Sequence, residues 1–267
     1  MSNAGFFGRT ATANTGGVWK ANDVSNFRRD SVWPISSIVT SGLVFHLDAA
    51  NTSSYSGTST WTNLGSSGSV SNVTLFNSPT YDGKSLQFNP DLLQYGTLSN
   101  SSSPFRQTSA ITYEGWVNFT GSIGGNRFGG TTTSGGQGTG GVLLTYNGLY
   151  FSWTPTTPQS DTTITATFSS LFNTWFHYAF TMNYSTGVYA AYINGSSIST
   201  SIARTVTNFT PVTSYNQAAN DELPSRNINS TRLYSDNVKI SQYRIYNTAL
   251  SAANVAQNYE STILNFR

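Results

Sequence analysis

Few residues of this 267-residue chain are able to do acid–base or metal chemistry, and they are dispersed. There are three glutamates, Glu114, Glu222 and Glu260, and two histidines, His46 and His177. Retaining glycoside hydrolysis needs two carboxyl groups about 5–5.5 Å apart, one as nucleophile and one as acid/base. On a strand that means carboxylates at alternate positions, and no glutamate here has such a companion. Only Glu114 lies in a strongly patterned strand, where a paired or rim carboxylate is expected. Both histidines sit inside apolar strand patterns, so hydrogen-bonded core histidines are expected rather than metal ligands. The many serines include no Gly-x-Ser-x-Gly elbow. With no cysteine, the chain has no thiol nucleophile, thiolate zinc site or disulfide. The expectation is a protein that is not an enzyme and requires no cofactor. Calcium stays open as an option that no motif supports: Asp82, Asp161, Asp221 and Glu222 are the available oxygen donors, with Asp48 anchoring a loop.

Rings are plentiful instead: six Trp, 15 Tyr and 16 Phe, 14% of the chain. Exposed rings stack on pyranose faces when Asn and Asp supply hydrogen bonds around them. On that chemistry Tyr55, Trp61, Tyr146, Tyr150, Trp153 and Tyr215 are candidate glycan contacts, each weighed against plain core or rim packing. Charged residues make up only 9%, and the formal charge is +2. Arg28-Arg29 is the one adjacent basic pair, so there is no basic stripe for a nucleic acid. No apolar run reaches membrane-spanning length, and the first residues lack a charged segment followed by a long apolar one. So many rings and so few charges speak for a folded core.

The elements that must position these residues are strands. In Trp175–Met182 both alternating sets are apolar, as in an inner strand covered on both faces. Asn183–Gly187 makes a turn, Val188–Ile193 returns, and Asn194-Gly195 turns again. Further strands are expected at Gly42–Asp48, Val73–Phe76, Ser85–Phe88, Gln94–Leu98, Ser109–Phe119, Val142–Tyr146, Leu149–Trp153, Thr162–Phe168, Thr231–Ser235 and Val238–Tyr246. In Ser109–Phe119, the residues Ile111, Tyr113, Gly115, Val117 and Phe119 should share one face. Gly121–Gly141, full of paired glycines, is expected to be an irregular binding or mobile loop, and residues 203–230 to be polar loop. Ala249–Leu264 reads as a terminal helix capped by Ser251, with Val255, Tyr259 and Ile263 on one stripe. Short strands without βαβ alternation predict an antiparallel two-sheet sandwich.

Residues 1–40 differ from the rest of the chain. Aromatic islands stand in polar sequence, one short helix is expected within Ala21–Asp30, and Val32-Trp33-Pro34 ends it. So short a segment cannot enclose Phe6, Phe7, Trp19, Phe27 and Trp33 by itself. These rings, with Arg28 and Arg29, are candidate contacts to a partner, weighed equally against packing on the chain's own domain.

Several of these motifs converge on one family. Gly42-Leu-Val-Phe-His-Leu-Asp48 with the following Trp61 loop, Tyr113-Glu-Gly-Trp-Val117, Trp175-Phe-His177 leading to Tyr192-Ile-Asn-Gly195, and Ile240–Ser251 resemble laminin-G/pentraxin-like (concanavalin A-like) jelly-roll domains. The resemblance covers about residues 42–261, and it implies the fold but not the function. Gly16-Gly-Val-Trp19 and Phe27–Pro34 resemble a short N-terminal segment of tailed-phage structural proteins. Together they imply an all-β, antiparallel two-sheet jelly roll (residues 41–267) with an extended N-terminal anchoring arm (residues 1–40) and a short C-terminal helix. The expected role is a virion component, such as a capsid decoration, fibre or tail adhesion module. It would be present in multiple copies and held to other virion proteins through residues 1–40. The alternatives are a lectin for host-surface glycan, with specificity in the Gly121–Gly141 loop, and, last, a glycoside hydrolase.

Overall fold

Alternation of apolar and polar side chains along most strands, with rings and β-branched residues on the inward positions, makes two antiparallel sheets that face each other. The computed structural model describes residues 37–98, 104–105, 107–120, 126–132, 138–145, 148–153, 162–202, 221–228, 231–234 and 237–266. The expected arm therefore lies outside the described residues except for Ser37–Thr40, and so do Phe6, Phe7, Trp19, Phe27, Arg28, Arg29 and Trp33.

In chain order the strands are β1 (Leu43–Asp48), β2 (Thr60–Trp61), β3 (Val73–Phe76), β4 (Thr80–Tyr81), β5 (Leu86–Phe88), β6 (Tyr95–Leu98) and β7 (Ala110–Phe119). There follow β8 (Asn126–Thr132), β9 (Gly138–Thr145), β10 (Gly148–Trp153), β11 (Thr162–Thr167), β12 (Phe176–Asn183) and β13 (Val188–Ile193). The last are β14 (Ser196–Ile198), β15 (Thr200–Ile202), β16 (Asp221–Leu223), β17 (Ser225–Ile228), β18 (Thr231–Tyr234) and β19 (Val238–Tyr246), before the helix α1 (Ala252–Thr262). Among the described residues the first sheet has eight strands in the order β14-β13-β12-β7-β19-β5-β4, with β1 also paired to β19. The second has nine, in the order β15-β11-β10-β9-β8-β16-β6-β3-β2, and β17-β18 form a separate ribbon.

The core lies between the sheets. Ile111, Tyr113, Val117 and Phe119 of β7 point into it, as their spacing predicts, and meet Phe45, Trp61, Val73, Leu98, Phe176 and Tyr178. β12 is buried along both faces up to Met182. Its outer face is covered because α1 crosses the first sheet, burying Val255, Asn258 and Thr262. Ser251 caps α1 by accepting the Asn254 N–H at 3.2 Å. At the far end of β12–β13, Asn194 and Gly195 have φ of 49° and 76°, the left-handed pair that a tight hairpin turn requires. Asn194 then ties down the strand start: its Oδ1 accepts the His177 N–H at 2.9 Å, and its own N–H donates to the His177 carbonyl at 2.8 Å.

Two expectations are corrected. Gly121–Gly141 is not simply irregular, because Asn126–Thr132 and the start of β9 pair within it, with register shifts around Gly130. Glycine takes the local kink of a bulge at little steric cost, so glycine-rich sequence is compatible with a bent ladder. Residues 203–230 are not all loop either, since β16 and β17 occupy Asp221–Leu223 and Ser225–Ile228.

One close approach sets the sheet centre. Between β7 and β19 the register shifts between Ile240 and Gln242, and a Cβ added at Gly115 would run into the Gln242 carbonyl oxygen. A Gly115→Ala variant should lose about 1–3 kcal/mol by overpacking, read as a lower urea midpoint at unchanged slope.

Candidate functional site

The residues singled out for chemistry end up in two places, one sealed and one open. The sealed place follows from strand register on the outer face of the first sheet. Arg244 of β19 stands opposite both His46 of β1 and Glu114 of β7. His177 of β12 stands opposite Trp116, one alternate position along β7. Glu114, Arg244 and His177 are all 0% exposed, because α1 closes over them. Arg244 Nε lies 2.6 Å from Glu114 Oε1. Asn258 of α1 donates its Nδ2 to both Glu114 oxygens at 3.0 Å, and the Tyr246 hydroxyl reaches Oε1 at 3.4 Å. Trp116 Nε1 donates to Thr262 Oγ1 at 2.8 Å, fixing the end of α1.

Burial pushes the Glu114 pKa up, against the downward pull of Arg244, Asn258 and Tyr246. Burial, helped by the Arg244 charge, lowers His46 to about 3 and holds His177 well below its usual value, so both are neutral. His177 lacks the hydrogen bonds expected of it, since neither ring nitrogen has a partner among the described residues, and His46 Nε2 has none either. His177 Nε2 instead sits 3.8 Å from Glu114 Oε2, and its ring packs on Trp116 and Tyr259. This cluster holds the helix on the sheet and offers no path to a substrate.

The carboxylates weighed for calcium that lie among the described residues do not converge. Asp82 is used in its own turn, accepting from the Ser85 N–H at 2.8 Å, Ser85 Oγ at 2.9 Å and Lys239 Nζ at 3.3 Å. Asp48 accepts from Gln242 at 2.9 Å, and Glu222 accepts from Ser225 at 2.7 Å. Asp221 is buried beside Glu222, and Asp161 lies outside the described residues. Among the described residues no group of three or more His, Asp and Glu is placed to hold a metal ion.

The open place is a groove at the β4 edge. It is lined by Tyr55, Thr58, Ser59, Leu75, Asn77 and Tyr81 with their neighbours, and has a volume of about 320 Å³. Of the candidate glycan contacts, Trp61 is withdrawn: at 0% exposure it has no face to offer, and it belongs to the core. Tyr55, 5% exposed, packs edge-on between Trp61 and Tyr81, with centroids 6.5 and 4.9 Å away. Tyr146 and Tyr215 lie outside the described residues, as do the side chains of Tyr150 and Trp153, whose backbones form part of β10. Sequence reasoning missed Tyr81, which is 37% exposed. The adjoining Thr80 and the Asp82-Gly83 turn were the available signal for a ring at a sheet edge. It also missed the stacked pair Phe76–Tyr95, 4.6 Å apart on the outer face of the second sheet.

A family model described as the concanavalin A-like lectin/glucanases superfamily, of laminin-G type, matches residues 93–256. No curated protein sequence matches the chain. Among solved structures, a mutant of Trypanosoma rangeli sialidase displaying trans-sialidase activity aligns at TM-score 0.57 and 14% identity, over 91% of this chain and 37% of that one. The T. rangeli sialidase in complex with sialic acid aligns at 0.56 and 14%, over 90% and 38%. The receptor binding domain of botulinum neurotoxin mosaic serotype C/D aligns at 0.60 and 11%, over 83% and 51%. The chain thus spans roughly a third to a half of the length of these structures. At such identities the likeness carries the fold and no activity. It does correct the expectation that the chain is not an enzyme: proteins solved as sialidases share this fold, so neither the sandwich nor its scattered carboxylates exclude one.

Two outcomes follow from the sealed cluster. Glu114→Gln leaves Arg244 buried without its counter-charge and should cost about 3–5 kcal/mol in chemical denaturation. The histidines set an acid limit. Below about pH 6.5 the unfolded chain binds protons that folded His46 and His177 refuse, so stability should fall with pH by up to about 1.4 kcal/mol per unit for each histidine. For His46 this continues down to about 3. Glu114 acts with the opposite sign, its contribution being lost as pH rises through its raised pKa. A His46→Gln variant should halve the histidine slope between pH 6.5 and 5, measured by urea midpoints across pH.

Proposed function

The chain belongs to the concanavalin A-like lectin/glucanases superfamily, and from that premise we propose that it is a surface-attachment domain that binds saccharide and is carried on a tailed-phage virion by its N-terminal segment. The observation that carries this reading is the groove at the β4 edge. It is open, and its lining combines the rings of Tyr55 and Tyr81 with the hydroxyl and amide residues Thr58, Ser59, Asn77 and Ser78, the make-up of a ligand site with a few orienting polar groups. The central charges, by contrast, are spent inside the fold on holding α1 in place.

The placement of the first described residues supports a division of labour. Val39 donates its N–H to Asn258 Oδ1 at 2.7 Å, and the Ser37 carbonyl accepts from Gln257 Nε2 at 2.7 Å. Ile38 and Val39 pack with Leu250 and Val255. Ser37, Ile38 and Val39 thus lie beside α1, whereas the groove opens at the β4 edge of the same sheet. Anchoring to other virion proteins through residues 1–36 would leave the groove free for a host-surface glycan, and many copies on one particle would add avidity to a weak single contact.

Removing residues 1–36 should abolish incorporation of the protein into particles while the purified remainder still adsorbs to host cells. Unchanged incorporation would overturn the anchoring role. A full-length protein that neither adsorbs to host cells nor gives signal on a broad glycan array would overturn the attachment role.

A further inference from the structure

The groove has a chemistry specific enough to name a ligand class. Its apolar lining is Tyr81, Tyr55, Leu75 and Pro79. Tyr81 is a fixed platform rather than a loose surface ring. Its hydroxyl lies 2.9 Å from the Ala49 carbonyl and 2.9 Å from that of Gly83, the Tyr55 ring abuts it at 75°, and its backbone pairs with Leu86. A ring already held in place loses little conformational freedom when something stacks on it.

The rest of the lining is polar and only partly engaged. Asn77 Nδ2 donates to the Leu93 carbonyl at 2.7 Å, which fixes the amide and leaves Oδ1 without a partner among the described residues. Ser59 Oγ and Ser78 Oγ likewise make no hydrogen bond among the described residues, while Thr58 Oγ1 is used by its own turn. Asn77 and Ser78 are exposed and have φ of 58° and 50°. That costly conformation is held by Gln94 Nε2, which donates to both of their carbonyls at 3.0 and 2.8 Å. The loop is thus pinned beside the groove, with Asn77 and Ser78 in its lining.

No lysine, arginine, aspartate or glutamate lines the groove among the described residues. A carboxylated sugar, such as the sialic acid of the T. rangeli complex, calls for a cation to pair its charge, and none is supplied here. Lys239, which reaches the residue next to Tyr81, is engaged there with Asp82. A volume of about 320 Å³ is at the small end of ligand sites, suited to a short saccharide segment.

Resting on the attachment reading above, we infer that this groove is a binding subsite for a neutral saccharide, one pyranose face lying on Tyr81 and its hydroxyls meeting Asn77, Ser59 and Ser78. The test uses the full chain in saturation-transfer NMR and titration calorimetry. The probes are lactose, maltotriose and mannotriose, with 3′-sialyllactose as the acidic counterpart of lactose. At least one neutral probe should bind, and 3′-sialyllactose should bind no better than lactose. Tyr81→Ala should weaken the neutral contact about tenfold, a change worth about 1.4 kcal/mol. Ser59→Trp, which fills the groove from an exposed position outside the core, should abolish it at unchanged thermal stability. Neutral binding untouched by Ser59→Trp, or binding of 3′-sialyllactose alone, would overturn this inference and leave the attachment reading standing. Failure of all four probes together with a silent glycan array would overturn both.

Discussion

A buried ion pair governs how this sandwich is assembled. Glu114 and Arg244 face each other across the two central strands of the first sheet, on the side away from the core, and both are fully buried. Removing two charges from water costs several kcal/mol each unless their hydrogen-bonding capacity is met in place. That requirement explains the polar underside of α1. Asn258 answers the carboxylate and donates to the Tyr246 hydroxyl, and Thr262 answers the Trp116 indole. The Arg244 guanidinium is met by the carboxylate charge alone, its outer nitrogens having no hydrogen-bond partner among the described residues. Apolar packing alone would let a helix slide or rotate on a sheet. An amide that has to reach two carboxylate oxygens and a tyrosine hydroxyl at once holds it in one register.

The same amide shows where sequence reading stops. The one-sided strands were legible because burial of one face enforces a period of two, as β1, β3 and β6 show, and the inner strands β7, β12 and β19 because apolar residues fall on both of their faces. The helix start was legible because Ser251 is a cap. The buried stripe of α1 was only partly legible: Val255 follows the apolar rule, but Asn258 and Thr262 are buried for what they bond, and a polar residue carries no hydropathy signal of burial. The family's Glu-Gly-Trp, Trp-x-His and closing-strand motifs name residues that meet around Arg244, yet nothing in their spacing says that they meet. Register does that, and register comes from pairings between distant strands. Trp61 was misplaced, and Tyr55 is nearly buried although it lines the groove, for a related reason. A ring in a Ser/Thr/Gly loop reads as exposed, but this loop folds back so that the Leu75 N–H donates to the Ser59 carbonyl, which carries both rings under the second sheet.

The groove comes from the way the sheets end. β2 and β4 are two-residue strands at the borders of their sheets, short enough to offer no long row of unpaired backbone to another chain. Between them the chain turns sharply through Asn77 and Ser78, and opposite them Leu93 also adopts a positive φ, 54°. Gln94 holds this corner together from within, being buried itself. A sheet border made safe against aggregation in this way is also a border with a notch in it, and the notch is where Tyr81 shows its face.

The pairing of β1 with β19 has a consequence for how the chain comes to be folded. The Gln242–Asp48 bond joins residues 194 positions apart, and Val39–Asn258 joins residues 219 apart. β7 cannot have both neighbours, nor Glu114 its arginine, until residues beyond 240 have been made. Proteins dominated by such distant contacts fold slowly, because loop closure must precede the contacts that reward it. A nascent chain is therefore left for a time with an unpaired β7 edge and a carboxylate awaiting its counter-charge. Its rate of maturation, more than its final stability, is where chaperones and growth temperature should exert their effect.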